Sequence, residues 1–136
     1  MQQFGLAGEE LPSFTIGASV DEACEGMRRV LRENPKESLP TAFIADFDII
    51  ALGAMKGIKE EGYSIPNDFS IIGFDNRPEC ILANPPLTTL GLPWDYFGTA
   101  AVRQAINLVK EPGRPHVNTE IQLTLIERNS VKDLNS

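Results

Sequence analysis

The sequence predicts an α/β fold with a mainly parallel sheet and helices on both faces. Two observations carry that expectation. Residues 39–76 read as strand, helix, strand within about forty residues, the size of a βαβ unit. The two apolar runs at its ends, residues 41–45 and 69–74, show no polar alternation, as expected of parallel strands covered on both sides. A right-handed crossover makes those strands parallel. The acidic corners that follow them, Asp46-Phe47-Asp48 and Asp75-Asn76, then emerge at the same carboxyl edge. Ligands of open α/β sheets bind at that edge.

Taken in order, residues 1–12 are short, acidic and glycine-containing and give no clear element. Residues 13–17 read as a short strand. Ser19 caps a helix, with Glu22 completing a capping box, and Val20, Ala23, Cys24, Met27, Val30 and Leu31 form its apolar stripe. Asp21 and Glu22 at its start and Arg28, Arg29 and Arg32 towards its end complement the helix dipole. Asn34-Pro35 ends it. In the next helix, residues 49–61, Ala51, Ala54, Met55 and Ile58 make the core stripe, and Lys56 and Glu60 are spaced as an i, i+4 pair. Ile49, Ile50 and Leu52 widen the apolar face beyond what one sheet requires. Ile49 and Leu52, together with Cys80 and Ile81 in the following loop, are candidates for a subunit interface. A proline-containing loop leads to a brief extended piece at residues 87–90. Pro93 opens a third long helix that runs to Lys110, broadly apolar through Trp94, Phe97, Ala101, Ala105 and Leu108. Ile121, Leu123 and Leu125 alternate with Gln122 and Thr124, as in a strand near a sheet edge.

The 136 residues fit one domain able to bury a core, and 42% hydrophobic with 23% charged residues is ordinary globular composition. A net charge of -7 argues against a nucleic-acid-binding surface in this chain. Cys24 and Cys80 lack metal-ligand spacing and read as free thiols of a reducing, cytoplasmic compartment. No run approaches the roughly twenty apolar residues of a membrane helix, and no signal peptide opens the chain.

Asp46, Phe47, Asp75, Asn76 and Trp94 are the candidate binding residues. Carboxylates and an amide accept directed hydrogen bonds from hydroxyl or N–H groups, while aromatic faces take the apolar side of a sugar or stack on a base. Asp48 is expected either to cap the helix it precedes or to support the binding residues from behind. Catalytic patterns are thin. The lone His116 lies in a proline-rich turn without Ser or Cys partners, no glycine-rich phosphate loop opens a helix, and no metal or cofactor site is expected. The Asp46-x-Asp48 spacing, with Gly73-Phe74-Asp75 and Glu79, is a loose match to haloacid-dehalogenase-type, Mg-dependent phosphatases. Ile49-Ile50 stands where their Gly-Thr/Ser belongs.

The phrases Pro40-Thr41-Ala42-Phe43-Ile44-Ala45, Asp48-Ile49-Ile50-Ala51-Leu52-Gly53-Ala54-Met55, Ile65-Pro66-Asn67-Asp68-Phe69-Ser70-Ile71-Ile72-Gly73-Phe74-Asp75-Asn76 and Pro85-Pro86-Leu87-Thr88-Thr89, with the closing Leu125-Ile126-Glu127-Arg128-Asn129-Ser130, resemble the lactose/galactose-repressor family. The resemblance implies a transcriptional regulator, not an enzyme. Its two-lobed, periplasmic-binding-protein-like (type I) domain closes on a small effector, a sugar or nucleobase. It also implies homodimerisation, and operator binding through a headpiece absent from this chain. Residues 1–136 would be the carboxyl-terminal lobe, with residues 1–12 the remnant of a preceding segment and residues 91–112 a helix returning to the amino-terminal lobe. Asp75 falls on the family's effector-contacting aspartate and Trp94 on an aromatic position of the cleft. Phe47 replaces the family's common Asn, which favours stacking at that wall and leaves Asp46 to supply a polar contact. A periplasmic sugar-binding protein of a transporter is the alternative that shares the fold. With half the cleft missing, this chain alone is expected to bind effector weakly and to associate through its uncovered helix.

Overall fold

A computed structural model describes residues 11–113, 115 and 117–134; the expectations for residues 1–10 and for His116 lie outside these. The order is α1 (Val20–Glu33), a 3-10 turn (Lys36–Ser38), β1 (Ala42–Ile44), α2 (Asp48–Glu60), β2 (Ser70–Phe74), α3 (Glu79–Leu82), β3 (Thr88–Gly91), α4 (Trp94–Lys110) and β4 (Thr124–Ile126). The four strands form one sheet in the order β1-β2-β3-β4. The first three are parallel, with Ile44 opposite Ile72 and Ile72 opposite Thr88, and β4 closes the sheet antiparallel to β3. The extended piece expected at residues 87–90 is therefore an inner strand. The last strand lies at the edge, as expected, but it spans only Thr124–Ile126, the residues paired with Thr89–Gly91, so Ile121 and Leu123 fall outside it.

Helix α2 packs on β2, and α1 packs on α2. The core joins Met27 and Leu31 of α1, Ala51, Ala54, Met55 and Ile58 of α2, and Phe69, Ile71 and Leu87 from the sheet side. Two of the expected contacts at this seam are made differently. The expected Lys56–Glu60 pair does not form: Lys56 faces Asp21 at 3.7 Å, and Glu60 turns to Arg28 at 3.5 Å. Arg28 and Arg32 also reach Glu61, at 3.0 and 2.6 Å, so besides the charge placement expected for the dipole, with Asp21 and Glu22 in the first turn and Arg32 in the last, these arginines clasp α1 to α2. The helices approach closely because glycines face the seam. A Cβ on Gly53 would lie 2.4 Å from the carbonyl oxygen of Val20 and 2.6 Å from the Cβ of Ala23.

Three further expectations are corrected. Residues 13–17 form no strand: Phe14 and Ile16 pack on the core, but the backbone of Ile16 lies against α1, so close that a Cβ on Gly26 would come within 2.2 Å of its carbonyl oxygen. Gly17, at φ +116°, then turns the chain into the Ser19–Glu22 capping box. Cys80 sits in the short helix α3, not in a loop. The run at residues 42–45 is not covered on both faces: Phe43 packs towards the core, whereas Ala42 and Ile44 are exposed. Helix α4 buries none of its residues.

The close seam generates a test. Alanine is the better helix former, yet Gly53→Ala is expected to lose about 1–3 kcal/mol of stability through overpacking. Gly98→Ala in α4, where nothing lies within 4 Å of the added methyl, is expected to gain up to about 1 kcal/mol from helix propensity. Urea midpoints of the two variants against the parent protein decide the sign of each.

Candidate binding site at the sheet rim

Because β1, β2 and β3 run in one sense, the segments following them gather at one rim. Asp46 and Phe47 follow β1, Asp75 and Asn76 follow β2, and Trp94 follows β3 as the first residue of α4. All five predicted binding residues thus stand at the carboxyl edge. Phe47 and Trp94 are about half exposed (54% and 55%), so Trp94 is not a core residue. Asp46 is exposed and borders a crevice of about 410 Å³ running from residues 11–17 along β1.

Asp75 is partly buried, and its carboxylate accepts no hydrogen bond from the described residues. Burial and the nearby Asp48 carboxylate push its pKa above the usual value, with Arg77 opposing them. A partly desolvated carboxylate without a donor is a group prepared to accept hydrogen bonds from something else.

The backbone at this point is unusual. Asp75 has φ +119° and Asn76 φ +54°, both positive and neither a glycine. Such residues cost of order 1–3 kcal/mol each when the surroundings impose them. Here three successive peptide N–H groups are held from β3 and α2. That of Asp75 donates to the Leu90 carbonyl (2.9 Å), that of Asn76 to Thr89 Oγ1 (3.3 Å), and that of Arg77 to Asp48 Oδ2 (2.7 Å). The Asn76 side chain is itself engaged, its Oδ1 accepting from Arg128 Nη2 at 2.8 Å. Arg128 also donates to the Leu87 carbonyl at 2.5 Å, tying the loop to the start of β3.

Asp48 does not cap its helix. Phe47 occupies the N-cap position with no side-chain cap hydrogen bond, and the Asp48 carboxylate turns inward, fully buried. Its Oδ1 accepts from the Thr89 hydroxyl at 2.6 Å. Asp46 and Asp48 therefore face different surroundings, one solvent and one core, and do not form the carboxylate pair of the phosphatase pattern. Cys80, also fully buried, lies against Asp48; burial first, then the hydrogen bond to that carboxylate, pushes its pKa up to about 12.

Sequence reasoning missed three residues of this region. Thr89 and Arg128 hold the loop, and Ile44 ends β1 with 82% of its surface exposed. Two adjacent threonines in an otherwise apolar strand were the available signal for Thr89. Arg128 makes contacts 40 to 52 positions away in sequence, which no local pattern shows.

A family model described as a periplasmic binding protein-like domain matches residues 1–131. The chain belongs to the periplasmic-binding-protein-like family. Within it, the domain is 35% identical over 114 residues to the HTH-type transcriptional repressor PurR of Histophilus somni (strain 129Pt), covering 84% of this chain and 33% of that protein. The LacI family transcriptional regulator of Enterococcus faecium, solved with bound ribose, superposes with a TM-score of 0.75 at 25% identity, over 96% of this chain and 47% of that one. The lac repressor dimer bound to operator and the anti-inducer ONPF gives 0.73 at 26% identity, over 83% of this chain and 38% of that one. The chain spans about a third of the length of the curated relatives it matches. These neighbours bear out the expected fold class and the resemblance to LacI-type regulators.

The raised pKa of Asp75 carries a testable sign. Its protonated form is favoured in the folded state, so the stabilisation it gives is complete below the unfolded value and is lost as pH rises through the folded one. Asp75→Asn, which tolerates the same backbone, is therefore expected to be more stable than the parent at pH 7, the difference closing in acid below the unfolded pKa. Urea denaturation at pH 7 and pH 3 measures both ends.

Proposed function

We propose that this domain forms one wall of the effector site of a LacI-type transcriptional regulator, with operator binding supplied by a headpiece elsewhere in the whole protein. The observation that carries the reading is the unpaired, partly desolvated Asp75 on a strained and fully anchored loop. It stands at the same rim as Asp46, Phe47 and Trp94. Backbone strain held in place by so many hydrogen bonds is characteristic of ligand clamps. The protein is read as a cytoplasmic regulator without enzymatic activity, in keeping with the repressors it resembles; no helix of the described residues is long and apolar enough to cross a membrane.

The chemistry of the rim defines the effector class. Two carboxylates accept hydrogen bonds from hydroxyl or N–H donors and repel anions, which selects an uncharged, donor-rich molecule. Phe47, Trp94 and Ile44 offer apolar faces to the other side of that molecule. A sugar ring or a nucleobase fits both requirements. The presence of Phe47, where a hydrogen-bonding Asn is common, shifts the balance at that wall towards stacking.

The whole regulator is read as a homodimer. Ile81 is 64% exposed, and Ile49 and Leu52 are half-buried on α2. A groove of about 420 Å³ between α2 and the α3–β3 connection is lined by Leu52, Met55, Lys59 and Ala83. Cys80, proposed from the sequence for this interface, is fully buried within its own chain and offers no surface to a partner.

Two experiments test these readings. In the whole regulator, calorimetry against sugars and nucleobases is expected to find one that binds, and Asp75→Ala is expected to weaken it about 10- to 100-fold, the loss of one charge-assisted hydrogen bond. Unchanged affinity would remove Asp75 from the site. Light scattering is expected to give a dimer for the parent and a smaller species for Ile81→Arg; a monomeric parent at high concentration would overturn the interface.

A further inference from the structure

We propose that Asp48 is the positioning residue of the rim, its buried carboxylate setting both the left-handed course of the chain at Asp75–Asn76 and the charge environment of Asp75. The proposal rests on the reading of Asp75 as the effector contact, but its geometry is independent of any ligand.

Asp48 is the one acidic or basic residue with no exposed surface among the described residues. Taking a carboxylate out of water is costly unless its oxygens are satisfied, and an apolar side chain of similar size would serve packing as well or better. The fold nevertheless makes room for it. A Cβ on Gly73 of β2 would lie 2.2 Å from Asp48 Oδ1, so only glycine at that position admits the carboxylate. Asp48 stands in the first turn of α2, but its hydrogen bonds are made outside that helix. Its oxygens go instead to Thr89 of β3, to the N–H of Arg77, the residue that directly follows the two positive φ angles, and to the buried thiol of Cys80 on α3.

Those partners define what it does. Arg77 N–H is the last of the three consecutive donors that hold the loop, and the only one whose acceptor belongs to α2. The Thr89 hydroxyl that donates to Asp48 also accepts from Asn76 N–H. One hydrogen-bonded relay therefore runs from α2 through β3 to Asn76 and, by the second oxygen, directly to Arg77. Asp48 Oδ2 is bonded to the N–H two residues beyond Asp75, so the Asp48 charge stands near that carboxylate and, after burial itself, raises its pKa against the opposing Arg77. Anchoring the loop and raising the proton affinity of its unpaired carboxylate are thus performed by the same buried charge. The first residue of α2 consequently shares a hydrogen bond with the rim, while Ile49 beside it and Leu52 one turn on belong to the proposed subunit face.

The test separates this role from simple support of the fold, and uses no effector. Asp48→Asn keeps the shape and an acceptor for Arg77 N–H; its amide can donate to the Thr89 hydroxyl oxygen, whose proton then turns to the Leu90 carbonyl, so the charge is removed while both links persist. Carboxyl-carbon NMR of Asp75 is expected to show a lower titration midpoint in this variant than in the parent, with Arg77 amide exchange still slow. Thr89→Val removes the hydroxyl and keeps the branched shape. Exchange of the Asn76 and Arg77 amides is then expected to quicken by about tenfold or more, with core amides such as that of Ile58 unchanged. An unshifted Asp75 midpoint in Asp48→Asn, or unchanged exchange at Asn76 and Arg77 in Thr89→Val, would overturn the proposal. Calorimetry on Asp75→Ala tests the effector reading separately. A shifted midpoint with no ligand found would leave the positioning role standing and remove the effector site.

Discussion

Parallel pairing of β2 with strands on both sides is the constraint from which the rest follows. A parallel ladder gives its strands one sense, and each must be reached by a crossover on a face of the sheet. The connections β1–α2–β2 and β2–α3–β3 obey this, so the chain leaves three adjacent strands at one end. Polar and aromatic residues distant in sequence are thereby delivered side by side without contacting one another. Asp46, Asp75 and Trp94 share a rim because of strand direction alone. Nothing in their own side chains would hold them together.

At that rim, stability is set against readiness to bind. Asp75 has a backbone conformation that L-residues rarely adopt and a carboxylate partly removed from water beside a second carboxylate. Neither feature helps the fold. Both persist because the surrounding interactions over-determine the loop. Leu90, Thr89, Asp48 and Arg128 each hold one atom of residues 75–77, and all four are fixed by the sheet or by α2. The interior can carry this because its own packing is tight. Phe69, Ile71 and Leu87 are fully buried beneath the loop's supports, and the α1–α2 seam is closed by glycines and by the Arg28 and Arg32 clasp on Glu61. An unpaired acceptor on a rigid support loses little entropy on meeting its donor, which is the advantage of preorganisation.

Local patterns in the sequence carried the elements and the corners well. The Ser19–Glu22 capping box, the apolar stripes of α1 and α2, and the acidic corners after β1 and β2 are short-range signals, and each appears where its residues lie. What failed was long-range. Whether Asp48 caps its helix or reaches across the sheet depends on Thr89, 41 positions away. Whether residues 13–17 pair as a strand depends on how closely α1 approaches them through Gly26. β3 reads in the sequence only as a brief extended piece because Thr88 and Thr89 lack the apolar character of a central strand. Their hydroxyls are satisfied by Arg128 N–H and by Asp48, partners no window of sequence reveals. The burial of Cys80 is hidden in the sequence for a similar reason, since a four-residue helix leaves too little periodicity to show which way its side chain turns.

Helix α4 marks the same boundary from the other side. Its apolar residues are spread more broadly than the single stripe of α1, yet α1 buries its stripe and α4 buries none. Amphipathic spacing records that a helix was selected to cover something; it does not say that the covered surface belongs to the same unit of packing. Trp94, Phe97, Val102 and Leu108 lie exposed on one helix, and Trp94 and Phe97 meet only edge to face at 6.2 Å. A surface of that kind rarely stays uncovered in water. Since α4 begins with Trp94 just after β3, the first turn of this uncovered helix lies at the same sheet edge as Asp75. The uncovered apolar surface and the candidate site therefore share one end of the sheet, because both are placed there by the direction of β3 and its neighbours.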